Sequence, residues 1–227
     1  MTSRAGASRK VAEIPNLAAQ AGWWDKSVTS TKSFSACALA VLLLQGCAAL
    51  PGGGPAPLDT YDLTAPHVEA PGPRRAAAQI LVAEPSALKI LDGENIVIRP
   101  SAGSIEFLSG AQWADRLPRI VQARLVEALQ GTNRLGGVGK PGEGLAIDYQ
   151  VVTEIRAFEA RVDGAPRAVI ELHVKLLNDR NGIVRGSRSF TAAAPISGTA
   201  NADYVAALDR AFASVQAEIV GWVLASI

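Results

Sequence analysis

The sequence predicts an α/β fold: a single domain in which a mixed, largely antiparallel sheet carries two long amphipathic helices. Apolar and polar residues alternate along three segments between residues 145 and 190, a period typical of strands buried on one face. Apolar residues recur at three- and four-residue spacing over 117–129 and 204–222, which is the period of helices buried along one side. Of the 227 residues, 48% are apolar and 19% are charged, so the composition indicates a globular chain.

Four short strands are predicted before the first helix. Residues 59–63 read DTYDL, and residues 79–85 read QILVAEP, a buried type of strand that Pro85 ends. The Pro- and Gly-rich stretch 65–75 between them is predicted to be a loop. Residues 95–100 and 104–109 flank a Ser-Ala-Gly turn, so we expect them to form a hairpin.

The first helix is predicted to begin near Asp115, a suitable N-cap residue. Pro118 falls in the first turn, where its missing N–H costs little, and Gly131 is expected to end the helix. Its apolar stripe consists of Leu117, Ile120, Val121, Leu125, Ala128 and Leu129.

An antiparallel meander of three strands follows, with one face buried and one face wet. Asp163-Gly164 and Asn181-Gly182 are the two turn signals. In the third strand Arg188 breaks the alternation and is a candidate bulge. The apolar residues of the first two strands are Leu145, Ile147, Tyr149, Val151 and Ile155, then Ala168, Ile170, Leu172, Val174 and Leu176.

The last element is predicted to be a helix that Asn201 caps, with Asp203 near its positive end. Asp209 and Arg210 lie off the apolar stripe and are expected to add little to stability. The stripe itself is long enough to require burial against the sheet, and it consists of Tyr204, Leu208, Ala211, Phe212, Val215, Ile219 and Trp222.

The segment before the domain has the order of a bacterial lipoprotein signal. Lys32 precedes a short apolar run that stops at Gln45-Gly46-Cys47. A spanning helix needs about 20 apolar residues, so this run is too short, whereas its charged start and small-residue end are typical of a signal peptide. Leu44-x-Gly46-Cys47 resembles a lipobox, which implies cleavage before Cys47 and acylation of that residue. The alternatives are an ordinary signal cut after Ala49 and a short core helix.

Three regions follow from this interpretation. Residues 1–46 are an N-terminal extension and signal peptide, residues 47–58 are the lipidated Cys47 with a Gly/Pro tether, and residues 59–227 are the domain. The extension is long for the start of a signal peptide. Translation from Val28 instead of Met1 would leave an ordinary lipoprotein signal, a hypothesis that a codon other than GTG at position 28 would exclude.

Composition excludes several classes of function. The chain has 22 basic and 21 acidic residues, so it lacks the electrostatic footprint of a nucleic-acid-binding protein. Cys37 lies in the signal core and Cys47 is the acylation site, which leaves the domain without a disulfide or a thiolate metal site.

The search for chemistry predicts no catalytic residue, no cofactor and no metal site. His67 in a loop and His173 on the polar face of a strand lack metal-ligand spacing. The Gly-rich segment 136–144 lacks the Ser or Thr and the helix that must follow Lys140 in a phosphate loop, so it is predicted to be a plain loop. Cys47 remains the one predicted site residue, as the lipidation site, and the partner-binding residues are unknown.

Seven segments, taken together, carry a resemblance to a known family: 61–63, 80–85, 95–99, 105–129, 148–159, 168–190 and 207–223. The opening of the first helix from Trp113 to Pro118 and the closing Trp222 are the most specific of these. With Cys47 and its tether, they resemble the ABC-type transport auxiliary lipoproteins, a family that includes the paraquat-inducible lipoprotein.

The resemblance implies a non-enzymatic lipoprotein that faces the periplasm of a Gram-negative bacterium. Its partners would be an ATPase, a permease and a mammalian-cell-entry-type periplasmic subunit, in a system that moves lipids or apolar compounds between the inner and outer membranes. A homo-oligomer is compatible with this role. Ala48, where some organisms use aspartate as a retention signal, implies sorting to the outer membrane. The alternative is an outer-membrane assembly or scaffold lipoprotein with no part in substrate handling.

Overall fold

The computed structural model describes residues 57–65, 67–69 and 74–227. The described residues belong to one compact unit, while Cys47 and the predicted signal peptide lie outside them. The order of elements is β1 Asp59–Tyr61, β2 Arg75–Val82, β3 Ser86–Ala87, β4 Asn95–Ser101, β5 Ser104–Trp113, α1 Leu117–Gly131, β6 Leu135–Gly139, β7 Tyr149–Arg161, β8 Arg167–Asn178, β9 Val184–Pro195 and α2 Asn201–Ser226.

The long strand β7 organises the sheet. One of its edges pairs with β8 in antiparallel fashion over its whole length, and β8 pairs in the same way with β9. The other edge pairs in turn with β2, β3 and β4, all parallel to it. β6 extends the sheet beyond β2, while β5 and then β1 extend it beyond β4. The sheet therefore forks on this edge of β7: one branch runs through β2 to β6, and the other runs through β4 and β5 to β1.

The predicted α/β domain with a mixed sheet and two helices is confirmed, but the largely antiparallel character of the sheet is not. Among the described strands, five of the eight pairings are parallel. Among the described strands, tight turns join only those of the predicted hairpin, β4–β5, and of the predicted meander, β7–β8–β9. Strands joined by a tight turn must run antiparallel. The other strands reach their partners through longer connections.

Both helices lie on one face of the sheet, which we call the inner face. α2 packs on β7, β8 and β9, and α1 packs on β2 and β6 and touches α2. Gln216 joins the helices because its Nε2 donates a hydrogen bond to the carbonyl oxygen of Arg124 at 2.6 Å. The predicted stripes of both helices are buried, apart from Tyr204 and Trp222, which are half-buried.

Three aromatic rings link the hairpin, the sheet and α2 through the core. The ring centroids of Trp113 and Phe158 are 5.9 Å apart in an edge-on arrangement, and those of Phe158 and Phe212 are also 5.9 Å apart. All three side chains are fully buried. Such pairs favour one arrangement of the three elements over others.

A bulge in β7 explains why Phe158 faces inward. Ile155 pairs with Leu172 and Ala157 pairs with Glu171, so Arg156 is an extra residue without a cross-strand partner. After it the alternation shifts by one position, which turns Phe158 and Ala160 inward and Glu159 outward. The predicted bulge at Arg188 is wrong, because Arg188 pairs in register with Val174 and the irregularity in β9 lies at Arg185.

Two predicted helix caps are also wrong. Arg116 is the N-cap of α1, and the carboxylate of Asp115 instead accepts the N–H of Arg116 at 2.7 Å. Ala200 is the N-cap of α2, and the carboxylate of Asp203 accepts its N–H at 2.9 Å. The Asp203 carboxylate, in the first turn of α2, accepts the hydrogen bond of the free N-cap amide. The side chain of Asn201 is therefore not needed as a cap.

The Gly-rich segment after α1 is partly a strand, contrary to the prediction. Its first residues form β6, which runs parallel to β2. A Cβ on Gly136 would lie 2.2 Å from the carbonyl oxygen of Ala76, so the close approach of these two strands requires a glycine. Gly136 is therefore required for strand packing and not for a loop.

Candidate partner-binding surface

Cys47, the predicted lipidation residue, lies outside the described residues, so its acylation stays a prediction. Within the part of the chain that the structure describes, no helix is long and apolar enough to cross a membrane.

The two histidines lie apart. His67 lies beside Gly131 at the end of α1, whereas His173 lies on the outer face of the sheet, opposite the helices. The Nδ1 of His173 is 3.0 Å from the hydroxyl of Ser189, and its Nε2 is 2.9 Å from the hydroxyl of Ser187. Among the described residues, no group of three or more His, Cys, Asp or Glu side chains could hold a metal ion.

The loop after β6 is closed by one of its own side chains. The carboxylate of Glu143 accepts the backbone N–H of Lys140 at 3.0 Å, and a Cβ on Gly139 would lie 2.3 Å from the same carboxylate. A phosphate would need those amides for itself, and a carboxylate next to them would repel it. The absence of a nucleotide site in segment 136–144 stays a prediction.

The outer face carries an exposed apolar strand edge. β1 pairs with β5 only from Ala111 onward, so residues 104–108 have no strand on that side among the described residues. We call residues 104–108 the hairpin edge. Ile105 and Phe107 alternate along it with exposed fractions of 41% and 47%. An edge with free backbone groups and apolar side chains can pair with a strand from another chain.

The hairpin edge ends at a fixed point. The Nδ2 of Asn201, the first residue of α2, donates a hydrogen bond to the carbonyl oxygen of Ser109 at 3.0 Å. Gly110 follows with a φ of 76°, a left-handed conformation that favours glycine. The edge is therefore short and has a defined end.

A buried carboxylate lies beside the hairpin edge. Phe107 pairs with Val97, and Val97 pairs with Glu159, so the three residues follow one another across the outer face. The Glu159 side chain is only 3% exposed, and its Oε1 accepts hydrogen bonds from the Nε atoms of Arg99 and Arg161, both at 2.8 Å. The hydrogen bond to Glu159 raises the pKa of Arg99 above its usual value.

This cluster pairs two guanidinium groups with one carboxylate, and both arginines remain partly exposed. The cluster therefore presents two partly exposed guanidinium groups next to the apolar hairpin edge, and Asp163 also lies close enough to Arg99 to raise its pKa. Sequence reasoning missed it, because the inward or outward direction of Glu159 depends on the bulge at Arg156. The strand propensity of residues 104–109 was visible in the sequence, but their exposure was not.

Comparisons with known proteins match nearly the whole of this fold. The family model described as ABC-type transport auxiliary lipoprotein component matches residues 61–220. An uncharacterized protein of Bradyrhizobium diazoefficiens is 31% identical over 189 residues, which are 82% of this chain and 50% of that protein. The chain thus spans about half the length of that relative.

Two crystal structures share the architecture. A protein from Xanthomonas campestris is 32% identical, with a TM-score of 0.69 over 74% of this chain and 95% of that one. An uncharacterized protein that is 20% identical has a TM-score of 0.59 over 74% of this chain and 99% of that one, which shows the shared fold alone.

Proposed function

The chain belongs to the ABC-type transport auxiliary lipoprotein component family, and on this premise we propose that it is a non-enzymatic, lipid-anchored accessory of an ABC-type transport system. Its partners are a mammalian-cell-entry-type periplasmic subunit with its permease and ATPase. The system moves lipids or related apolar compounds between the inner and outer membranes. The observation that carries this proposal is the family match, which runs from β1 into α2.

The hairpin edge supports a protein-binding role. Ile105 and Phe107 expose apolar surface beside backbone groups that no other described strand pairs with, and the Arg99 and Arg161 guanidinium groups lie nearby. A partner strand with apolar residues at alternate positions and a nearby carboxylate matches this surface. We assign this contact to the transporter's periplasmic subunit.

The anchor places the domain on the periplasmic side of the outer membrane. Acylation of Cys47 with more than one chain would hold the protein firmly, since stable anchoring takes about two lipid signals. The tether 47–58 then lets the domain reach at most roughly 40 Å from the membrane.

The anchor is tested by changing each cysteine in turn. We expect Cys47→Ala to abolish acylation and to move the domain out of the outer-membrane fraction, whereas the matched control Cys37→Ala leaves both unchanged. Intact mass and membrane fractionation report the two outcomes. A mature chain that begins at Leu50 without acyl groups would contradict the proposal.

The partner is tested by crosslinking in cells. A photoreactive residue in place of Phe107 is expected to trap the transporter's periplasmic subunit, whereas the same residue in place of Glu218, exposed on α2, is not. Phe107→Asp should weaken the contact without unfolding the domain, because the side chain is half-exposed. Equal trapping from both positions would argue against the hairpin edge as the surface that contacts the transporter.

The pathway is tested genetically. Deleting this gene or the transporter is expected to give the same sensitivity to detergents, and the double deletion should be no worse than either single one. Additive effects, together with no crosslink to the transporter, would instead favour the scaffold lipoprotein.

A further inference from the structure

A groove of about 450 Å³ lies at the end of the domain where β2 begins and α2 ends. Four separate parts of the chain line it: residues 74–78, the pair Asp148 and Tyr149, the pair Asn178 and Arg180, and Ile227. Its volume falls in the range of about 300–1,000 Å³ that is typical of small-molecule sites.

The groove exists because the first residues of β2 pair with β6 but not with β7. β2 pairs with β6 from Arg75, with an irregular register up to Gln79, but it pairs with β7 only from Ile80. Asp148 fixes the point of divergence, since its N–H donates to the carbonyl oxygen of Gln79 and its carboxylate accepts the N–H of Gln79, both at 3.0 Å. Residues 76–78, all alanines, therefore line one wall of an open space.

Positive charge surrounds this apolar wall. Arg74, Arg75 and Arg180 all line the groove. Arg180 donates to Asp148 at 2.5 Å and its side chain is 77% exposed, whereas Arg74 and Arg75 form no ion pair with any described carboxylate. The four residues before Arg74, APGP, contain no acidic side chain. Three guanidinium groups thus outnumber the two carboxylates of the lining, that of Asp148 and the terminal one of Ile227.

An exposed apolar pair adjoins the groove. The carbonyl oxygen of Ile183 accepts the N–H of Asn178, which lines the groove, at 2.8 Å. Ile183 and the following Val184 are 60% and 50% exposed. Arginine side chains next to exposed aliphatic ones suit an anionic headgroup with its hydrocarbon chain.

We propose that the groove binds one anionic phospholipid. Arg74, Arg75 and Arg180 contact the phosphate, while a hydrocarbon chain runs along the methyl groups of residues 76–78 and Ile227 towards Ile183. The inference goes beyond the proposed function, in which this chain contacts a protein, and it depends on that function only for the origin of the lipid.

The test uses residues 57–227, because the hydrophobic core of the described residues lies between Leu63 and Val223. Amide NMR shifts are followed on titration with three probes: monomeric dihexanoyl phosphatidylglycerol, dihexanoyl phosphatidylcholine and glycerol phosphate. We expect phosphatidylglycerol to shift the amides of residues 75–78 and to bind at least about fivefold more tightly than the other two, because phosphatidylcholine has no net negative charge and glycerol phosphate has no hydrocarbon chains.

Paired variants locate the site. Arg75→Gln with Arg180→Gln is expected to weaken phosphatidylglycerol binding about tenfold, and Ile227→Ser should weaken it with little effect on glycerol phosphate. The control is Arg188→Gln, because Arg188 lies over the ring of Phe190 outside the groove and is 3.8 Å from Glu218. Unchanged melting temperatures show that each variant is folded.

Several results would overturn the proposal. Equal affinity for glycerol phosphate would mean a simple anion site, and equal affinity for phosphatidylcholine would mean that the groove does not select an anionic lipid. No binding of any lipid, or tighter binding of a short acidic peptide, would exclude a lipid site. The assay uses the isolated domain, so its failure leaves the cellular crosslinking test of the proposed function unaffected.

Discussion

Phe212→Ala should remove a large part of the stability of the domain. The side chain is completely buried on α2, with its ring 5.9 Å from that of Phe158. Truncation of a buried phenylalanine to alanine costs about 3–5 kcal/mol, of which the aromatic pair accounts for about 0.5–1.5 kcal/mol. Domains of this kind are stable by only about 5–15 kcal/mol, so about a fifth or more of the free energy of unfolding is at risk.

Urea unfolding of residues 57–227, followed by tryptophan fluorescence, measures this loss. We expect the midpoint to fall with an unchanged slope, and the melting temperature to fall by about 10 °C, because 1 kcal/mol corresponds to about 2–4 °C at this size. The matched control is Glu218→Ala on the same helix. Glu218 is exposed and lies 3.8 Å from Arg188, so its loss should stay within about 0.5 kcal/mol.

A double-mutant cycle with Phe158→Ala separates the ring contact from simple burial. We expect the two substitutions to be coupled by about 0.5–1.5 kcal/mol, since the rings touch. If Phe212→Ala loses less than about 1 kcal/mol, or no more than Glu218→Ala, then the assignment of the buried face of α2 is wrong.

Three further predictions concern single contacts. Asp209→Ala should cost about 1 kcal/mol in urea unfolding, because its carboxylate accepts two hydrogen bonds from Thr64, at 2.7 and 2.8 Å; a silent variant would contradict this. Gly198→Ala should cost about 2 kcal/mol, since its φ is 137° and a Cβ would lie 2.1 Å from the Asp203 carboxylate that accepts the α2 N-cap amide. Gly164→Ala, which has open space, is its neutral control. The hydrogen bond from Gln79 N–H, followed by that from Arg180, lowers the pKa of Asp148, so its stabilisation is present above the unfolded pKa of about 3.9 and is lost as pH falls through the folded pKa. Asp148→Asn should therefore be less stable than wild type above about pH 5 and approach it below pH 4, and a pH-independent difference would refute the prediction.

Local sequence patterns correctly predicted the elements whose formation depends on residues close together in the chain. The hairpin β4–β5 and the meander β7–β8–β9 lie close to where the turn signals and alternation put them, and both helices bury the predicted stripes apart from Tyr204 and Trp222. These features repeat over a few residues, so one sequence contains the information for them. The sequence placed Asp209 off the apolar stripe but did not show its partner, because Thr64 lies 145 positions earlier in the chain.

The candidate surfaces needed contacts between distant segments. The groove exists because β2 separates from β7 at Asp148, and the hairpin edge exists because β1 covers only the last residues of β5. Neither feature produces a periodic pattern of residues in the sequence. The same holds for Glu159, which two arginines from different strands surround only after the bulge at Arg156 turns it outward.

The sequence by itself determined the kind of protein: an α/β domain of the auxiliary lipoprotein family, with strands and helices in a predictable order and a predicted acylation site at Cys47. The tertiary structure decided which strands run parallel, where the sheet forks, and which apolar and charged side chains remain exposed. The physical reason is that periodicity reports whether a residue has a buried side. Its partners across the sheet are set by packing between segments far apart in the chain.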